Sequence, residues 1–147
     1  MKNEKIGKFM VAVGAIIEHT QSKEILLLQR APKADFMPGV WEDITGRLNQ
    51  FEDPETGLKR EIFEETRLKN IKIIKPIKIF HIFRGDRKST NELLGIIYWV
   101  KTQTKKIILS EEHSNYKWLK PKQALKIVTH PAIKKEILTF LKEHSKS

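Results

Sequence analysis

GRLNQFEDPETGLKREIFEETRL, running from Gly46 to Leu68, carries its own start signal and a crowd of acids. Asp53-Pro54 reads as an N-cap followed by proline at the first helical position, where the missing amide costs nothing. The pattern predicts a helix from about Pro54 to Thr66. On it Glu61, Glu64 and Glu65 stand at i, i+3 and i+4 and share one face, with Leu58 and Ile62 forming an apolar stripe beside them. Like charges at this spacing cost a few tenths of a kcal/mol per pair, and the acids lie toward the helix end that the macrodipole makes unfavourable for them. Helix propensity alone does not select such an arrangement. A divalent cation does, because Mg²⁺ or Mn²⁺ takes hard oxygen ligands at this density together with water and substrate phosphates. The plainer alternative is a solvated acidic face paired with Lys59, Arg60 and Arg67.

The spacing of the whole stretch separates the two. It resembles the signature of the Nudix hydrolases: glycine, five residues, glutamate, seven residues, Arg-Glu, an aliphatic residue, any residue, Glu-Glu, any residue, glycine, an aliphatic residue. The matching positions are Gly46, Glu52, Arg60, Glu61, Ile62, Glu64, Glu65 and Leu68. At roughly one in fifteen per residue type, six fixed identities at fixed spacing arise by chance about once in ten million starting points. Arg67 departs from the pattern where the family has its last glycine, and Asn49 and Phe51 stand where many members carry glutamate and glycine. None of these departures removes a carboxylate.

The resemblance implies an α/β fold, an α/β/α sandwich on a mixed sheet, with the signature forming loop, helix and loop. It implies a pyrophosphohydrolase in which Glu61, Glu64 and Glu65 bind Mg²⁺ or Mn²⁺ and the carbonyl of Thr45, just before Gly46, completes the shell. Arg60 then orients a carboxylate from behind the ligands, and Glu52 does likewise or reaches the metal through water. In EEHSNYKWLK, Glu111 to Lys120, a Glu-His followed by Tyr-x-Trp resembles a segment of several Nudix hydrolases, dinucleoside tetraphosphate hydrolases and dihydroneopterin triphosphate pyrophosphatases among them. There the glutamate before the histidine reaches the metal as ligand or base, a role that falls to Glu112. The general base is Glu61 or Glu112. Arg30, ending the strand EILLLQR, matches a basic residue that faces substrate, with Lys8 a weaker phosphate contact. His113 reads as a structural hydrogen-bond partner, Trp118 and Trp41 as core, and Phe36 as a ring that can stack on a base.

Length and composition set the frame. A chain of 147 residues, 39% hydrophobic, fits one domain spanning 1–147 with room for a core. With no cysteine there are no disulfides, thiolate metal sites or thiol nucleophiles, which also disfavours the cysteine-dependent isopentenyl diphosphate isomerases that share the fold. No apolar run approaches a membrane span, and MKNEKIGKF lacks a signal-peptide core, so a cytoplasmic protein is expected. The formal net charge of +10 attracts polyanions. A small phosphoanhydride is the favoured partner, and nucleic acid is a second, less favoured one because the lysines are dispersed. Oligomeric state is left open.

Along the chain, Phe9–Ile17 and Glu24–Arg30 read as paired strands, with Trp41–Ile44 rejoining the sheet after a Pro-Gly loop. Ile71–Phe83, interrupted by Pro76, and Leu93–Thr102 read as further strands flanking the polar RGDRKSTN. Lys105–Leu109 and Tyr116–Leu119 are expected to be short strands. Pro121–Val128 and Ala132–His144 are expected to be helices. Two other classes compete with hydrolysis of a nucleoside diphosphate derivative or (d)NTP-like compound: an RNA-directed enzyme or binder, and a non-catalytic nucleotide-binding regulator.

Overall fold

Alternation along the central strands explains the layering. In β1 (Met10–His19), Val13, Ala15 and Ile17 enter one apolar cluster while Ile16 enters another, and in β2 (Ile25–Arg30), Leu26 and Leu28 part from Ile25 and Leu27 in the same way. Successive side chains point to opposite faces of a sheet, so the two clusters lie on its two sides. This is a computed structural model, and it describes residues 5–147; Met1 to Glu4, part of the stretch from which the N-terminus was read, lie outside it.

Five further strands complete the sheet: β3 (Trp41–Glu42), β4 (Ile44–Arg47), β5 (Ile71–Phe83), β6 (Glu92–Thr102) and β7 (His113–Leu119). The main order is β3-β2-β1-β6-β5, with β4 also paired to β1 and β7 to β2. β1 and β6 run parallel from Met10↔Leu93 to His19↔Thr102, whereas every other pairing is antiparallel. Helix α1 (Pro54–Thr66) buries Leu58 and Ile62 against the first cluster. Helices α2 (Pro121–Ile127) and α3 (Pro131–His144) cover the other face with Ala124, Ile133, Ile137 and Phe140. The mixed α/β/α sandwich is therefore present. No helix among the described residues is long and apolar enough to cross a membrane.

α1 begins and ends as its sequence dictates. Asp53 is extended and accepts the amide of Thr56 at 3.2 Å, with Pro54 in the first turn. At the far end Arg67 adopts φ 65° and ψ 14°, the left-handed conformation for which glycine is favoured, and its amide reaches the Phe63 carbonyl. A non-glycine residue there costs about 1 kcal/mol, partly offset by the guanidinium lying 5.0 Å from the Phe63 ring centre. Arg67→Gly is expected to raise Tm by roughly 1 to 3 °C; a fall on thermal denaturation shows that the Phe63 contact outweighs the backbone strain.

Several expectations need correction. Lys105–Leu109 is not a strand: Ile107 is buried and the Ile108 amide bonds the Thr66 carbonyl, so this segment packs on the end of α1 without a ladder. Trp41–Ile44 is two strands divided at Asp43. β7 begins three residues earlier than expected, at His113. Pro76 does not interrupt β5, because β5 is the sheet edge, where a missing donor is tolerated, and register shifts between Ile73 and Lys78 absorb the irregularity.

Two buried acids anchor α3. Glu18, 1% exposed, accepts from the Trp99 indole at 3.0 Å and contacts His144 Nε2 at 2.8 Å. Asp43 lies beside Glu136, both buried, and burial first, then the Glu136 charge, push the Asp43 carboxyl well up. Adjacent Glu42 and Asp43 thus serve opposite faces of the sheet.

Candidate active site

The local fold at Gly46 exists to admit Glu61. A methyl group on Gly46 would fall on the Glu61 carboxyl group, so a larger residue here would displace that side chain from its place against β4. Glu61 is then fixed by Arg60, whose Nη1 donates to its Oε1 at 2.9 Å. The same guanidinium grips Glu52 with two bonds, of 2.7 and 2.9 Å, touches Glu64 at 3.3 Å and donates to the Arg47 carbonyl at 3.0 Å. Arg60 is the fastener between the box loop, β4 and the helix. Glu52 also accepts the Asn49 amide, and these bonds, Arg60's foremost, hold its carboxyl at about 2. Its lone pairs face arginine and loop, which makes Glu52 a brace for the helix.

Glu65 is the buried member of the set, 4% exposed. Burial first, then the charges of Glu61, Glu112 and Glu42, push its carboxyl up to about 9. Glu61 is also raised, again chiefly by burial, with Glu64 and Glu112 contributing. Glu64 is largely exposed, at the rim. The second wall comes from β7. Glu65, Glu112 and His113 bring potential ligand atoms within 4.8 Å of one another. The Glu112 carbonyl accepts the Ala31 amide at 2.9 Å, which pins this segment to the end of β2.

Glu42 is a residue the sequence reading missed. It contacts His113 Nε2 at 2.8 Å and Arg30 Nη1 at 3.3 Å, which turns the other ring nitrogen of His113 toward Glu65 Oε1 at 3.6 Å. Its only signal in sequence was an acid in a short strand bordering the box. The register shift between Gln29 and Arg30, opposite His113, shapes this corner. Arg30 also donates to the Phe36 carbonyl at 2.6 Å, so its guanidinium braces Glu42 and the β2–β3 loop while its charge reaches Glu65.

Two sequence candidates stand apart from the carboxylates. The Thr45 side chain is exposed and, by strand alternation, on the face opposite Gly46, so only its backbone is in play. Lys8, preceding β1, lines an open cleft with Phe9, Gln50 and Ser89. The structure therefore gathers Glu61, Glu65 and Glu112, keeps Glu64 at their edge, sets Arg60 and Arg30 behind them, and leaves Lys8 outside.

The donor set suits a hard divalent cation. Glu65 Oε2 and His113 Nδ1 are buried without a hydrogen-bond partner, and burial penalises the charge of both Glu65 and Glu61. Without a cation, Glu65 holds its proton in the folded chain up to about pH 9 but loses it near 4.5 when unfolded. Folded protein then binds more protons than unfolded between those values, so stability falls as pH rises through that window. In chelator, Tm is expected to drop from pH 5 to pH 9, and Glu65→Gln to flatten the decline; a wild-type Tm that rises with pH contradicts the burial of this acid.

Comparisons with known proteins bear on the family and the fold. The family model described as NUDIX domain matches residues 8–141. No curated protein sequence matches the chain significantly. Among solved structures, the MutT protein from Methanosarcina mazei Go1 superposes with a TM-score of 0.76 at 21% identity, over 98% of this chain and 100% of that one. The E. coli dihydroneopterin triphosphate pyrophosphohydrolase gives 0.73 at 22% identity, covering 95% and 99%. A C. elegans Ap4A hydrolase binary complex gives 0.75 at 22% identity, covering 94% and 99%. At such identities these likenesses speak for the fold, whereas the family match spans most of the residues: the chain belongs to the NUDIX domain family.

Proposed function

We propose that this chain is a metal-dependent pyrophosphohydrolase that cleaves a diphosphate linkage in a nucleoside diphosphate derivative or (d)NTP-like substrate. One observation carries the reading: Glu61 and Glu65 from α1 meet Glu112, just ahead of β7, in a partly buried corner where burial and mutual repulsion outweigh the positive charge of Arg60 and Arg30. The solved relatives with a dihydroneopterin triphosphate or Ap4A substrate in their names fit it.

Glu61, Glu64, Glu65 and Glu112 are the side chains that would hold Mg²⁺ or Mn²⁺, with the Thr45 carbonyl as a backbone ligand. Such an ion neutralises phosphoryl oxygens and acidifies the attacking water. The chain does the positioning. Arg60 locks Glu61 against Gly46, which limits the freedom lost when substrate arrives. Glu42 orients His113, whose Nδ1 lies 3.6 Å from Glu65 Oε1, and Arg30 adds positive charge that favours the ionised form of Glu65. Glu61 or Glu112 takes the proton from water. Turnover with a panel of dihydroneopterin triphosphate, dinucleoside polyphosphates, NTPs and ADP-ribose, read as released phosphate or pyrophosphate, tests the reading; no turnover of any diphosphate compound with Mg²⁺ or Mn²⁺ overturns it.

Glu112 offers an internal control. Glu111 and Glu112 are both exposed and equally charged, yet only Glu112 reaches Glu61 and Glu65. Glu112→Gln is expected to cut turnover about tenfold or more and raise the Mg²⁺ requirement, while Glu111→Gln stays within twofold. A general field is screened over about 10 Å at 0.1 M salt and would affect neighbours alike. Equal losses in the two variants remove Glu112 from the site.

A further inference from the structure

A buried polar nitrogen normally has a partner, and one of the two ring nitrogens of His113 has none. The side chain is wholly buried, Nε2 meets Glu42 Oε2 at 2.8 Å, and Nδ1 is left without a hydrogen bond. A neutral ring whose hydrogen on Nε2 points at Glu42 carries its lone pair on Nδ1. Acids surround that lone pair. Glu65 Oε1 is 3.6 Å from it, and Glu65, Glu112 and His113 bring ligand atoms within 4.8 Å of one another. At 3.6 Å the contact with Glu65 is too long for a hydrogen bond. It is near the spacing of two donors that share one cation, which at about 2.1 Å each stand roughly 3.0 Å apart at a right angle and roughly 3.4 Å apart at a tetrahedral one. Glu65 Oε2 is likewise buried and unpartnered.

The backbone fixes the ring where it stands. His113 pairs with Arg30 beside the register shift, and Glu112 lies in the turn before β7, so these two neighbours converge instead of alternating. Glu42 is tied in turn to Arg30 at 3.3 Å. A carboxylate on one ring nitrogen, with the other nitrogen bare beside oxygen donors, is the arrangement by which proteins orient a metal-binding imidazole and raise its basicity. We propose that His113 is itself a ligand, through Nδ1, in a mixed nitrogen and oxygen site with Glu65 and Glu112 that takes a first-row transition cation in preference to Mg²⁺. Imidazole suits such ions, whereas Mg²⁺ keeps to carboxylates, phosphates and water. The inference rests on the metal dependence proposed above and adds to it a nitrogen donor and a class of ion.

Proton NMR of the full chain loaded with Co²⁺ reads the ligand directly. A ring bound through Nδ1 keeps its hydrogen on Nε2, so one exchangeable imidazole N–H, lost in D₂O, is expected far outside the diamagnetic range. His113→Asn sets an amide near the place of Nδ1. It is expected to abolish that resonance, to weaken Co²⁺ about tenfold or more and to change Mg²⁺ affinity less than about threefold by calorimetry, since even the loss of a partner behind a metal ligand costs about ten- to a hundredfold. His81→Asn, at an exposed histidine of β5, is expected to keep the resonance and both affinities. The wild-type spectrum decides alone should His113→Asn fail to fold. Co²⁺ bound without a shifted ring N–H, or a Co²⁺ to Mg²⁺ preference unchanged in folded His113→Asn, overturns the proposal and leaves the metal-dependent hydrolase standing. A wild-type chain that binds neither ion overturns both.

Discussion

Glu65→Gln is expected to lower kcat at least about a hundredfold, the usual scale for losing a charge that acts on the transition state, and to leave the fold intact. The change is nearly isosteric, and an amide has no charge to bury where burial already pushes the carboxyl up to about 9. The metal-free variant should therefore melt higher than wild type at pH 8, where removing a penalised acid helps. Glu61→Gln is expected to lose as much turnover with less change in Tm, because Glu61 is less buried and part of its charge is met by Arg60. Loss of turnover with gain of stability is the pattern of an active-site acid. A turnover within a few-fold of wild type in either variant would falsify the placement of the chemistry here.

Removing divalent cations should have the larger effect. In excess EDTA turnover of any accepted substrate is expected to fall below detection and to return with Mg²⁺ or Mn²⁺. The ion should also raise Tm, since a ligand bound only by the native state stabilises it by mass action. The gain should grow with pH, because the cation competes with the proton held by Glu65. Activity that persists in chelator, or a Tm indifferent to the ion, would leave the converging carboxylates without the role proposed for them.

Legibility followed the range of the forces. α1 was readable from end to end because its determinants, the Asp53 cap, Pro54 and the apolar pair Leu58 and Ile62, are local. The meeting of Glu61 and Glu65 on one face followed from helical spacing. That Glu65 is buried and Glu64 exposed did not, since it depends on where β7 and Glu42 come to rest. Glu42 was invisible for the same reason: its partners are 12 and 71 residues away, and a lone acid in a two-residue strand carries no periodicity. Lys105–Leu109 misled because apolar residues that pack on a helix end look, in sequence, like those of a strand. The left-handed Arg67 runs against propensity, and the box pattern, rather than arginine itself, marked that site.

The parallel pairing of β1 with β6 has a consequence for the chain as it is made. Met10 meets Leu93, so the central strand has its longest partner only after about eighty more residues have been added, roughly 4 to 16 s of synthesis. Until then β1 offers Val13, Ala15, Ile16 and Ile17 to whatever surrounds the ribosome, and only the antiparallel neighbours β2 and β4 can shield its backbone. Glu112 and His113 emerge later still, with β7, so the carboxylate corner is completed only when this last strand joins β2. A nascent chain therefore acquires its apolar hazard early and its metal-binding capacity late, and slowing translation before β6 should favour aggregation over capture by a cation.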